Sequence, residues 1–289
     1  NRYNQIEEKA DLGFAPDSSF PLTYAEKGLL QVKLHGPGWE DRPLQAGRAL
    51  NVVPDKATYK GERLEELLPV IEQSGVNYTE EAGAVTVLGL SKHSKDAAEG
   101  VNAIVGLAES LSLIQPHPAL LFIADAVGED ATGVALFGEI KDEPSGALSF
   151  NIATLSIDEE RSEIGIDIRI PVLADKDALV ERLTEVAASY QLQYEEFDYL
   201  APLYVPLDSP LVSTLMKVYQ EETRDQTPAM SSGGATFART MENCVAYGAL
   251  FPDALQTEHQ ANERAKLDDL YRALEIYAET IRQLAGKEA

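Results

Sequence analysis

The sequence predicts an α/β chain with an α+β unit in its middle, and three observations lead there. Residues 28–205 pass twice through one plan, in which extended segments are followed by a helix and then a further strand. Beyond Val205 the pattern gives way to amphipathic helices joined by a loop of small residues. Hydrophobic residues make up 44% of the 289, enough for one large domain or two medium ones, each with its own core.

The elements follow in order. Near the start, LGFAPDSSFP holds one acid, Asp17, between Pro16 and a Ser-Ser-Phe-Pro turn. In the first copy, GERLEELLPVIEQSG sets Leu64, Leu67, Leu68 and Ile71 at helical spacing, with Gly75 as the stop, and GAVTVLGL supplies a strand. Between the copies, GVNAIVGLAESLSLI reads as another helix and is followed by a loop rich in Pro and acid. In the second copy, SEIGIDIRIPV alternates Ile164, Ile166, Ile168 and Ile170 with Glu163, Gly165, Asp167 and Arg169. That alternation predicts a strand with one buried face and one exposed face. A helix over 175–189 turns Leu179, Leu183 and Val186 inward, and QLQYEEFDYL returns as a strand.

Past residue 205, Ser209 is placed to cap a helix whose first position is Pro210 and whose inner face is Leu211, Leu215 and Val218. The small-residue loop AMSSGGATFART then leads to apolar CVAYGALFP. The last helix carries Leu267, Leu270, Leu274, Tyr277, Ile281 and Leu284 along one stripe, and Gly286 ends it. Such a stripe needs a covering layer, and this segment has too few elements to form a layered domain alone, so further strands are expected before Asn1.

The charge excludes some functions. Lys and Arg total 24 against 48 Asp and Glu, and a net charge of -24 repels phosphate backbones and anionic lipid, so neither nucleic acid nor a membrane is an expected partner. The longest apolar stretches fall short of the ~20 residues that span a bilayer. A single cysteine, Cys244, excludes an internal disulfide and suits a reducing compartment; with the missing secretory leader it points to the cytoplasm.

Few residues carry chemistry. His117, in QPHPAL, reads as a loop histidine and His35 as a strand-end residue without a task. His93 falls after a strand and before a helix, where an imidazole can reach into a cleft or simply face solvent. His259 follows an apolar strand and precedes the last helix, a place from which metal ligands emerge, though spacing alone leaves it even. SSGGATFAR lacks the Lys of a phosphate-binding loop; it reads as a tight turn or as a loop whose N–H groups are open to a carboxylate. Arg169 on the exposed strand face forms a surface ion pair with Asp167 or grips a substrate carboxylate.

Taken together, LGFAPDSSFPLTYAEKG, KHSKDAAEGVNA, SSGGATFAR and TEHQANERAKLDDLYRALEIYAETI resemble, in order and context, the two-metal aminoacylase and dipeptidase superfamily, and most of all its PepV-type bacterial dipeptidases. The resemblance runs over essentially the whole chain. It implies a metallopeptidase catalytic domain, here residues 1–27 and 204–289, with an α+β lid of two similar halves inserted at 28–203. It implies two divalent ions, zinc or manganese, with Asp17 and His259 among their ligands. It makes His93 the lid histidine that steadies the oxyanion, and assigns Asn51, Arg169, Gly233, Gly234 and Ala235 to the substrate's C-terminal carboxylate. This chain has Ala235 where such loops tend to have Gly, Ser94 for a usual Gly and Ala97 for a usual Pro. The family's remaining ligands and its general base, a Glu of a Glu-Glu pair, lie upstream of the Asp17 turn and are expected before Asn1; Glu7 and Glu8 are read as solvated. The implied activity is dipeptide hydrolysis by a monomer whose duplicated lid imitates a dimer, with closure over the cleft, although the chain as it stands would be inactive alone. Deacylases and desuccinylases of the same superfamily, or a non-catalytic binding protein, are the alternatives.

Overall fold

The computed structural model describes residues 6–255, 257 and 262–286. The chain forms two compact units, one made of Asn1–Lys27 with Ala201–Ala289 and the other of Gly28–Leu200.

The Gly28–Leu200 unit is built on a five-stranded antiparallel sheet in the order Gln193–Leu200, Gly28–Pro37, Arg161–Ile170, Ser149–Ile157, Leu44–Ala46. Its central pairing sets Ile166 opposite Val32 and Ile168 opposite Leu30, which puts the β-branched row of the second strand against the core. A smaller sheet pairs Lys56–Tyr59 with Ala84–Leu88 and the latter with Tyr78–Glu81. Helix Leu64–Ser74 ends at Gly75 with φ 78°, and helix Lys176–Ser189 begins at Asp175, whose carboxylate accepts the N–H groups of Asp177 and Ala178. Helix Ala103–Ile114 is buried on nearly every side and is capped by Asn102, whose amide also donates to the Ile152 carbonyl at 2.7 Å.

Two expectations are corrected in this unit. The run after His117 is not an open loop: it contains helical turns at Pro118–Leu121, Phe122–Val127 and Val134–Phe137, and Leu120, Phe122 and Ile123 are buried. His117 is itself buried, accepts the Ala119 N–H on Nδ1, bonds the Pro37 carbonyl through Nε2 and meets Trp39 edge to face. An apolar run behind a capping residue and a proline folds inward despite its prolines. Strand Arg161–Ile170 does not have one exposed face either, since Asp167 is 0% and Arg169 4% exposed. The Ser94–Glu99 turn packs on strands Ser149–Ile157 and Arg161–Ile170 and covers the polar side chains there.

In the other unit, Thr23–Glu26 lies at the centre of a mixed sheet, flanked by Leu203–Tyr204, Met230–Ser232 and Cys244–Ala246, with Gly13–Ala15 running parallel to the last at the edge. Helix Pro210–Thr223 starts at Ser209, whose Oγ accepts the Val212 N–H at 3.2 Å, and packs against helix Leu267–Ala285. Phe20, Tyr219, Tyr247, Phe251 and Tyr277 form an aromatic cluster, tied by the Tyr277 hydroxyl to the Tyr247 carbonyl. Cys244 is buried, and burial pushes its thiol pKa up. The last helix buries Ala273, Ile276 and Thr280, whereas Leu267, Leu270, Leu274 and Ile281 of the apolar stripe are left exposed by the described residues. Among the described residues no helix is long and apolar enough to cross a membrane.

Candidate functional site

His93 sits at the start of the Ser94–Glu99 turn with extended φ and ψ, bridged backbone to backbone with Val52. Its Nδ1 accepts the Lys95 N–H at 3.1 Å, so the neutral ring carries its proton on Nε2. The side chain is exposed by area, yet the body of the unit stands close around the ring. That partial desolvation, then the Arg169 guanidinium and the Lys95 ammonium, hold the His93 pKa below the usual 6.5. The consequence is an imidazole that stays neutral and offers one N–H donor outward.

The loop that presents His93 is pinned from below. Ser94 is fully buried; its N–H donates to the Asn51 carbonyl at 2.9 Å and its Oγ to the Leu50 carbonyl at 2.9 Å. Asn151 donates to Ser94 Oγ at 2.9 Å and to the Val52 carbonyl at 3.0 Å, and Ser149 Oγ donates to the Ser94 carbonyl. Ser94 therefore fastens the 50–52 segment to the 93–94 segment. Asn51 lies in that first segment, with its side chain exposed. Arg169 is the register partner of Ser149, directly below. Its Nε and Nη2 donate to Asp167 at 2.6 and 3.1 Å, and Gln31 donates to the same carboxylate at 2.9 Å. The structure thus gathers Asn51, His93 and Arg169 on one face of one unit.

Asp17, Gly233, Gly234 and Ala235 belong to the other unit. Asp17 is exposed in the step between Gly13–Ala15, which pairs with Cys244–Ala246, and Ser18–Ser19, which pairs with Ala249–Leu250. Backbone bonds clamp both sides: Tyr247 N–H donates to the Ala15 carbonyl at 2.9 Å and Ser18 N–H to the Gly248 carbonyl at 2.7 Å. Its carboxylate has no side-chain partner among the described residues, and these features fit a single oxygen donor to a cation. Among the described residues no three His, Cys, Asp or Glu side chains gather as a metal would need, and His259 lies outside those residues.

The small-residue loop follows strand Met230–Ser232. The expectation that its N–H groups stand open holds only in part, because the Gly234 N–H donates to Ser232 Oγ at 2.9 Å and the Thr236 N–H to Glu26 Oε2 at 2.9 Å. The Ala235 N–H is the one without a partner among the described residues. A Cβ on Gly234 would meet that Ser232 Oγ at 3.2 Å and no other atom within 4 Å, so open space lies above the loop backbone. Sequence reasoning overlooked Glu26 and Arg239, which are 0% and 6% exposed at their side chains and joined at 3.0 Å beneath this loop. The available signal was an acid in TYAEKG at the end of an otherwise apolar strand, a place where a charge must be paired.

Comparison with known proteins gives the class. Residues 18–283 match the family model described as peptidase family M20/M25/M40, and the chain belongs to that family. It is 34% identical over 98% of its length to a Bacillus subtilis (strain 168) protein named "Putative dipeptidase YtjP", and 30% identical over its full length to a dipeptidase-named protein of Staphylococcus aureus (strain MW2). The chain spans 65% and 67% of the lengths of those two relatives. The fold matches that of the aminoacylhistidine dipeptidase of Vibrio alginolyticus with a TM-score of 0.53, at 13% identity over 98% of this chain and 67% of that one.

Proposed function

We propose that this chain carries the lid, the substrate-carboxylate site and part of the metal site of a dipeptidase. The observation that carries the reading is His93: its Nδ1 is fixed by the Lys95 N–H and its pKa is depressed, so Nε2–H is a standing hydrogen-bond donor at the working pH of a cytoplasmic enzyme. The Gly28–Leu200 unit is the lid in this reading, and a lid built of two like halves would favour a monomer.

Asp17 and His259 would hold metal in this reading, with the other ligands and the general base in the part of the longer relatives that this chain does not span. Two divalent ions, zinc or manganese, would polarise the scissile carbonyl and lower the pKa of the attacking water. The chain's own residues do the rest. His93 donates Nε2–H to the carbonyl oxygen as negative charge develops there. Arg169, held in one orientation by Asp167, supplies positive charge without the cost of ordering a free side chain. The substrate's terminal carboxylate meets the Ala235 N–H above the open face of Gly234. A site that reads a free terminal carboxylate would favour short peptides over amidated ones.

The experiment is hydrolysis of Ala-Ala and of its C-terminal amide by the protein as purified from its source cells, with zinc or manganese and with chelator. Cleavage of the free dipeptide that needs metal, at a kcat/KM well above that of the amide, supports the reading; equal cleavage of both removes the carboxylate site from it.

A further inference from the structure

Glu26 ends the central strand Thr23–Glu26 and has Leu203 paired on one side and Ser232 on the other. Its Oε1 accepts the Thr236 hydroxyl at 2.6 Å, while Oε2 accepts the Thr236 N–H at 2.9 Å and Arg239 Nε and Nη2 at 3.2 and 3.0 Å. Arg239 then spreads over three carbonyls: Nη1 to Ala201 at 2.9 Å, and Nη2 to Lys27 at 3.2 Å and Gly234 at 3.1 Å. Lys27 and Ala201 are the residues at which the chain leaves and re-enters this unit. One planar cation therefore binds both crossings of the backbone and the loop of residues 233–235 at once.

A buried ion pair is weak evidence of stability, because an apolar pair of equal volume does as well or better. What an apolar pair cannot do is accept and donate at five backbone and side-chain groups in fixed directions. From this geometry we infer that Glu26 and Arg239 are positioning residues, which set the carboxylate-receiving loop in register with the two strand ends where the chain passes between its units. The inference rests on the reading of residues 233–235 as the carboxylate receiver. Lysine has the charge of arginine but a single nitrogen, which cannot reach Glu26 and all three carbonyls together. Glutamine at position 26 keeps the shape and still accepts from Thr236, but leaves the guanidinium without a counter-charge.

The test uses the full chain and the variants Arg239→Lys and Glu26→Gln, with Thr236→Val as a milder change that leaves the pair intact. Hydrogen exchange is followed in a peptide over residues 232–240 and, as a reference, in one over helix Pro210–Thr223. The inference expects loop exchange in R239K to rise by about tenfold or more while the reference peptide is unchanged. Unchanged loop exchange, or an equal rise in both peptides, overturns it. Calorimetric titration with Ala-Ala and with Ala-Ala amide gives the second readout, which a merely structural pair would not move. Wild type should favour the free carboxylate and R239K should lose that preference; a variant that keeps it in full overturns the inference. If wild type itself shows no preference, the carboxylate reading fails, and the exchange measurement alone decides whether the pair positions the loop.

Discussion

Arg169 and Asp167, two residues apart on one strand, are joined by hydrogen bonds of 2.6 and 3.1 Å with both side chains buried. Side chains at that spacing share a face, so the pair is built into the strand and needs no loop to assemble it. Asp167→Ala leaves a buried guanidinium with its main counter-charge gone. Its unfolding free energy in urea should fall by about 3–5 kcal/mol. The double change Asp167→Leu with Arg169→Met should cost much less, and a cost equal to the single change would mean that the pair matters chiefly for its packing.

His93 should titrate below 6.5 when followed by its ring-proton chemical shifts. Desolvation is the larger cause, and the Arg169 charge is the next. Arg169→Gln removes a repelling cation and should move the pKa upward without returning it to 6.5. A downward move would show that Arg169 does not act on His93 through its charge.

His117 gives a pH dependence of stability with a definite sign. Burial lowers its pKa below 6.5 in the folded chain, so the unfolded chain binds the proton more readily. Stability is full above about pH 6.5 and declines as pH drops through the interval below it. Protonation at Nδ1 would also break the bond from the Ala119 N–H. His117→Gln should be less stable at pH 8 and show a shallower decline between pH 6.5 and 5 than wild type, read from urea unfolding at each pH.

Ser94→Gly tests whether the buried Ser94 hydroxyl fixes the segment that presents His93. It removes the bond to the Leu50 carbonyl and leaves an Asn151 N–H without its Ser94 acceptor. The expected loss is about 1–3 kcal/mol, with faster amide exchange in residues 50–53. Unaltered exchange there would detach Ser94 from the placement of His93.

The amphipathic elements were legible because their signals are local. Gly75, Asp175 and Ser209 mark helix ends by their own chemistry, and the isoleucine row of Arg161–Ile170 follows from period two. The burial of Arg169 was not legible, since the second face of its strand is covered by a turn some 70 residues earlier in the chain, and alternation in one strand says nothing of what lies above it. The same reason hid the Glu26–Arg239 pair, whose partners are 213 positions apart. His117 does lie in the connection that its flanking prolines signal, but its burial was not legible, because it depends on the apolar run that follows folding inward. Of the candidate residues, Asn51 and His93 lie on two segments joined backbone to backbone and Asp17 stands between two strand pairings, while the loop N–H groups without a partner among the described residues shrink to that of Ala235.

The most direct test of the account is elemental analysis of the protein purified from its source cells, beside Asp17→Ala prepared in the same way, with Ala-Ala hydrolysis measured on both. The account predicts about two equivalents of zinc or manganese in wild type, fewer in the variant, and hydrolysis that falls with the metal. Equal metal content and equal hydrolysis in the two proteins would contradict the assignment of Asp17, and a wild-type protein with neither metal nor hydrolysis would contradict the dipeptidase reading itself.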